Sequence, residues 1–113
     1  MSYGYGMPNA PNEVFKTLAD PTRRAIFERL IQDGEQTVRA LTEQSGVSQP
    51  AVSKHLSVLK ASGLVRERPS GRYVHYSAEP QGLAPLMDWL GFYGAFWQER
   101  FGRLETLLER NDE

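Results

Sequence analysis

The sequence predicts a mainly helical α+β fold, with elements in the order α-α-α-α-β-β-α and a small β-hairpin ahead of the last helix. Three observations carry that expectation. Capping residues ahead of short apolar stripes recur at Asp20, Thr37 and Ser48, and such side chains accept from the orphan N–H groups of a first helical turn. Two short alternating segments then flank Pro69-Ser70-Gly71, which is a hairpin signal. Finally, apolar residues return at three- and four-residue spacing from about residue 81 to 110.

Each element can be justified in turn. Met1 to Pro11 alternates Tyr, Gly, Pro and Asn and is expected to form a flexible leader, leaving residues 12–113 as one domain. Asn12 can cap a short helix with Val14, Phe15 and Leu18 on one side. Asp20-Pro21 starts a second helix, since proline at the first helical position loses no hydrogen bond. Ile26, Phe27, Leu30 and Ile31 form its stripe, and Asp33-Gly34 ends it. Thr37 caps a third helix with Val38, Ala40 and Leu41, which closes at Ser45-Gly46. Ser48 caps a fourth, where Val52, Leu56 and Leu59 are spaced for burial and Ser62-Gly63 makes the stop. Strands are expected from Leu64 to Arg68 and from Arg72 to Ser77. Two capped helices joined at Gly46 and followed by a hairpin make a helix-turn-helix with a wing.

Composition narrows the function classes. With 113 residues, 40% hydrophobic and 24% charged, the chain suits one domain and is too apolar for wholesale disorder. No apolar run approaches the ~18 residues of a membrane span, and no secretory signal opens the chain. A cytoplasmic protein with no membrane partner is expected. The absence of cysteine removes disulfides, thiolate metal sites and cysteine nucleophiles together. A nucleophile-elbow serine, a phosphate-cradling glycine loop and paired carboxylates are missing too. Neither an enzyme nor a cofactor is expected.

The formal net charge is −1, yet its distribution is uneven. Residues 48–78 carry Lys54, Lys60, Arg66, Arg68 and Arg72 against Glu67 alone, a local +4 between flanks at −1 and −4. Phosphate contact needs such a footprint, although a solvated basic face would look the same. With Val52, Leu56 and Leu59 inward, the fourth helix shows Gln49, Pro50, Ser53, Lys54 and Ser57 outward. Short polar side chains on the amino-terminal half of a slim helix suit base edges in the major groove. Gln49 can pair with adenine, Ser53 with either base type, and Lys54 with guanine or phosphate. Arg66, Arg68 and Arg72 surround the hairpin tip, where they suit phosphate or a narrow minor groove. They would equally protect an exposed strand edge. Tyr73 and Tyr76 read as packing residues, since alternation turns at least one of them inward.

The candidate DNA-contact set is therefore Thr37, Ser48, Gln49, Pro50, Ser53, Lys54, His55, Ser57, Arg66, Arg68 and Arg72. The expected partner is double-stranded DNA. His55 and His75 lie on separate elements without a second ligand at metal spacing, so packing or a phosphate hydrogen bond is the plainer role. A winged helix that docks proteins and never touches DNA is the competing class. It would show an acidic or apolar recognition face, which this helix lacks.

The last helix is more apolar than one small domain can cover. Leu83, Leu86, Leu90, Tyr93, Trp97, Phe101, Leu104 and Leu108 form its stripe, widened by Trp89, Phe92, Phe96 and Leu107. Such a face needs a partner, and a two-fold dimer supplies one. The expected dimer interface comprises Val14, Phe15 and Leu18 from the first helix. From the last it takes Leu86, Trp89, Leu90, Tyr93, Phe96, Trp97, Phe101, Leu104 and Leu108. Gly91, Gly94 and Gly102 suggest close helix approach or a kink. A small-molecule pocket among the aromatic rings is the alternative use of the same face.

Three segments carry a family resemblance. They are Leu18-Ala19-Asp20-Pro21-Thr22-Arg23-Arg24, the run from Ser48 to Leu59, and Gly63-Leu64-Val65 with Gly71-Arg72-Tyr73-Val74-His75-Tyr76. Together they resemble the ArsR/SmtB family of bacterial winged helix-turn-helix repressors, from about Val14 to Arg110. The resemblance implies a homodimer, built from the first and last helices, that binds a palindromic operator and blocks transcription until an effector releases it. Metal-sensing members carry a cysteine pair at the start of the third helix, where this chain has Val38, Arg39 and Ala40. Others hold zinc with Asp and His pairs on the last helix, which here has Asp88 and Glu99 but no histidine. The chain thus resembles a subgroup without metal ligands, and no metal is expected.

Overall fold

The computed structural model describes residues 10–112; of the expected leader, residues 1–9 lie outside the described residues. Helix α1 (Ala10–Ala19) starts two residues ahead of the expected Asn12, because Pro11 is tolerated in a first helical turn. A single residue, Asp20, separates it from α2 (Pro21–Asp33). The Asp20 carboxylate accepts the Arg23 N–H at 3.0 Å, and that bond holds the carboxyl below its usual range. So abrupt a junction leaves no room for a glycine cap on α1. Instead Arg23 Nε donates to the Thr17 carbonyl and Arg24 Nη1 to that of Leu18, each at 2.7 Å. Basic side chains can satisfy the last carbonyls of a helix in this way.

Ile26, Phe27 and Leu30 of α2 are buried as expected, whereas Ile31 is 48% exposed. At 100° per residue, Ile31 falls on the rim of the stripe rather than in it. A short strand β1 (Gln36–Thr37) follows, then α3 (Val38–Ser45) and α4 (Gln49–Ala61). Both helices are capped by the expected residues: Thr37 Oγ1 accepts from Ala40 N–H at 3.2 Å and Ser48 Oγ from Ala51 N–H at 3.3 Å. The hairpin is β2 (Val65–Ser70) and β3 (Tyr73–Ala78), and the sheet order is β1-β3-β2, antiparallel throughout. Strand β1 was not expected, since two residues beside a helix cap are too few to show alternation.

The hairpin turn is displaced from its expected position. Pro69 and Ser70 belong to β2, where they pair with Val74 and Tyr73, and the loop is Gly71-Arg72. β2 is an edge strand, which tolerates proline because one N–H row faces solvent. Gly71 has φ +61°, the conformation a two-residue hairpin turn asks of its first residue and glycine adopts without strain. Tyr73 is 60% exposed, whereas Tyr76 packs against the core.

That core joins α2, α3, α4 and the start of β2 through Ile26, Phe27, Leu30, Leu41, Val52, Leu56, Leu59, Leu64 and Val65. A hydrogen bond of 2.6 Å between the Thr17 and Ser62 hydroxyls ties α1 to the end of α4. Gly82, in a 3₁₀ turn at Pro80–Leu83, seats against the α4–β2 junction. A Cβ there would lie 2.2 Å from the Gly63 carbonyl oxygen, so the approach requires glycine.

The expected single helix from about 81 to 110 is two helices, α5 (Ala84–Phe92) and α6 (Gly94–Asp112). Tyr93 breaks them, with φ −103° and ψ 3°, and its N–H bonds the Leu90 carbonyl at 3.0 Å. That is the three-residue hydrogen bond of a tightened last turn. The glycines flanking Tyr93 hinted at a kink, but spacing alone does not distinguish a bent helix from a broken one. α5 packs on α1, while α6 has α5 as its one substantial neighbour among the described elements. The radius of gyration, 18.6 Å, accordingly exceeds the ~13 Å of a compact chain this long.

Candidate nucleic-acid interface

The fourth helix is oriented by its apolar stripe. Val52, Leu56 and Leu59 are fully buried, which turns Gln49, Pro50, Ser53, Lys54 and Ser57 to solvent. The Ser48 cap fixes where the helix starts and keeps these groups on its first two turns. The exposed face carries hydroxyl, carboxamide and one ammonium, and no carboxylate. Lys54 has no acidic partner among the described residues.

His55 and Thr37 sit differently from the rest of the expected set. His55 is half-buried, with Nδ1 3.4 Å from Arg23 Nη1, so its ring faces α2 rather than the outer surface. Thr37 is half-buried at the end of β1, and its side-chain oxygen caps α3. Both therefore fasten α3 and α4 to the elements around them.

In the hairpin, strand register sorts the side chains. Val65, Glu67 and Pro69 lie opposite Ala78, Tyr76 and Val74, on the core side of the sheet. Arg66 and Arg68 lie opposite Ser77 and His75, on the outer side. There Arg68 makes a bidentate pair with Glu35, Nε to Oε2 at 3.0 Å and Nη2 to Oε1 at 2.7 Å. Arg66 Nε stands 3.6 Å from Glu79 Oε2. On the core side, Lys60 Nζ meets Glu67 Oε1 at 2.5 Å.

These pairs show in the acidities. The Arg68 hydrogen bonds hold the Glu35 carboxyl below its usual range, and Lys60 does the same for Glu67. Arg68 and Lys60 are raised in return. Burial, and then hydrogen bonding to Glu67, raise the Tyr76 phenol.

Three of the five cations in residues 48–78 are thus matched by carboxylates, which leaves Lys54 and Arg72. Local charge counting missed this because Glu35 and Glu79 lie outside the cationic window and reach it only through the sheet. Arg72 occupies the hairpin turn, exposed, with no acidic partner among the described residues. One signal could have exposed the pairing of Arg66 and Arg68. Their spacing of two puts them on the same strand face, and that face must be shared with whatever strand lies beyond β3.

The expected dimer residues differ in how far the protomer already covers them. Val14 is 2% exposed and Leu18 is packed against the core, so both are used by the protomer itself. Leu86 and Trp89 are half-buried. Phe15, Leu90, Tyr93, Phe96, Phe101, Leu104 and Leu108 are exposed, and the side chain of Trp97 lies outside the described residues. Phe15, Trp89 and Tyr93 pack edge to face at centroid distances of 5.3 and 5.4 Å. A cavity of about 250 Å³ lies elsewhere, between α2 and α3, lined by Pro21, Thr22, Ala25, Ile26, Arg29, Leu41, Gln44 and Ser45. Among the described residues no three or more His, Asp or Glu side chains gather as a metal site, and no helix is long and apolar enough to cross a membrane.

Comparison with known proteins agrees with this geometry. A family described as a helix-turn-helix domain matches residues 18–68, from the end of α1 into β2. The HTH-type transcriptional regulator Rv2034 of Mycobacterium tuberculosis is 48% identical over 77 residues, 68% of this chain and 71% of that protein. Among solved structures, the ArsR family transcriptional regulator RHA00566 superposes with a TM-score of 0.70 at 33% identity, over 80% of this chain and 93% of its own. A homodimeric winged helix-turn-helix DNA-binding domain from Mycobacterium bovis gives 0.64 at 26% identity, over 84% and 87%. The chain belongs to the ArsR family of helix-turn-helix transcriptional regulators, and not to a family of enzymes.

Proposed function

We propose that the protein is a homodimeric repressor that reads a palindromic operator with α4, touches phosphate with the β2–β3 turn, and does not sense metals. The observation that carries this reading is the exposed face of α4. Gln49, Ser53, Lys54 and Ser57 stand clear of carboxylates on the amino-terminal part of a buried-stripe helix, and Arg72 extends the cationic surface. Exposed apolar side chains along α5 and α6 support the dimer, as does the homodimeric state of the Mycobacterium bovis domain. Two reading helices in such a dimer lie about one duplex turn apart, ~34–36 Å, which calls for an inverted repeat. A cytoplasmic location follows from the partner.

Selection of bound sequences from a random duplex pool tests the reading. An inverted repeat should be enriched, and Gln49→Ala and Ser53→Ala should each lose about 1–3 kcal/mol on it with little change on generic duplex. Arg72→Gln should instead weaken binding to every duplex and flatten the salt dependence. No enriched motif at low salt, from protein shown to be dimeric, would reject the proposal in favour of a protein-docking module.

The metal part has its own support and its own test. The sequence holds no cysteine, and its two histidines sit on α4 and β3 facing different neighbours. Operator affinity should be the same with zinc, nickel, cadmium or arsenite added as with chelator. Stoichiometric, tight uptake in titration calorimetry would overturn this.

A further inference from the structure

The Arg68–Glu35 pair is partly open to solvent, which limits what it adds to stability. Its side chains are 57% and 35% exposed, and pairs in such settings contribute little to folding. Its geometry is nevertheless specific. The guanidinium presents two donors to two carboxylate oxygens across β3, over His75, from an acidic residue that directly precedes β1. Two strand residues separate Arg68 from the Gly71-Arg72 turn, a span of roughly 10 Å of chain. A wing that sets Arg72 on a phosphate therefore brings Arg68 within side-chain reach of the same backbone.

We infer that Glu35 limits the number of phosphate contacts: it holds Arg68 against the sheet in the DNA-bound protein, so that each wing offers the backbone one cation rather than two. The inference rests on the DNA-binding reading above and deepens it. Sequence-independent affinity comes almost entirely from neutralised phosphates. A regulator that searches a long duplex must leave each wrong site quickly, and a second wing cation would lengthen every such stop. Glu35 is a positioning residue in this scheme. It touches Arg68, and its effect on DNA is exerted through that arginine.

The test is the salt dependence of binding to a generic duplex, measured for wild type, Glu35→Gln, Glu35→Ala, Arg68→Gln and the Glu35→Gln/Arg68→Gln double variant. Both Glu35 variants should bind several-fold more tightly near 0.1 M salt. The slope of log affinity against log salt should steepen by about two for the dimer, one released cation per protomer. Arg68→Gln should keep the wild-type slope, and the double variant should match Arg68→Gln. An unchanged slope in the Glu35 variants overturns the inference. So does a shallower slope in Arg68→Gln, which would place that arginine on phosphate already. A merely structural role for the pair would alter melting temperature but not the slope. Wild-type protein that binds no duplex at low salt removes the DNA-binding reading itself, and this inference with it.

Discussion

Replacing Phe101 and Leu104 together by glutamate should leave the protein monomeric at micromolar concentration and cost most of its operator affinity. The two side chains are 59% and 51% exposed on α6, a helix whose neighbour within the protomer is α5. Leu107 and Leu108 beside them are each 54% exposed. A monomer would leave this apolar run along most of α6 in water, while a two-fold partner covers it with its own copy. Two buried carboxylates without partners in that interface would not be tolerated. Under the proposed function, losing the dimer also removes the second copy of α4 from the operator, and linked sites exceed single-site affinity by roughly 10²–10⁴. Sedimentation returning a dimer for the double variant would place the interface elsewhere. A monomer that retained full operator affinity would separate dimerisation from DNA binding.

What the sequence made legible divides by the range of the interaction that sets it. Helix starts were readable because Asp20, Thr37 and Ser48 cap turns only three residues away. The inward stripe of α4 was readable for the same reason, since Val52, Leu56 and Leu59 repeat within one helix. With that stripe fixed, the outward set from Gln49 to Ser57 followed. The hairpin existed where expected, but its turn moved to Gly71-Arg72 because edge position, and not local propensity, decided that Pro69 could pair.

The partners of contacts across the fold were not readable, although the shared strand face of Arg66 and Arg68 was. Glu35 lies 33 residues from Arg68 and joins it only through the β1-β3-β2 order. The same holds for Arg23, which spans the Thr17 carbonyl and the His55 ring, 32 residues away. Val14 illustrates the remaining limit. An apolar residue on a stripe must be covered, but whether by its own chain or by a partner depends on where α5 lands, and here α1 receives it.

Leu56→Ala should be strongly destabilising, although the side chain lies opposite the exposed face of α4. Leu56 is fully buried in the core that joins α2, α3, α4 and β2. Deleting a leucine side chain at such a site costs about 2–5 kcal/mol, the transfer term plus the cavity left behind. For a domain of this size each kilocalorie lowers the melting midpoint by roughly 4–8 °C, so the loss is readily measured by circular dichroism at fixed protein concentration. Ser57→Ala, one residue along and exposed, should stay within about 0.5 kcal/mol of wild type in stability. The two neighbours thus separate the two duties of the helix. At a temperature where Leu56→Ala remains folded, its operator preference should be that of wild type, because the outward face is intact. A melting point for Leu56→Ala equal to that of Ser57→Ala would mean that α4 is not seated on the stripe described, and the outward set derived from that seating would fall with it.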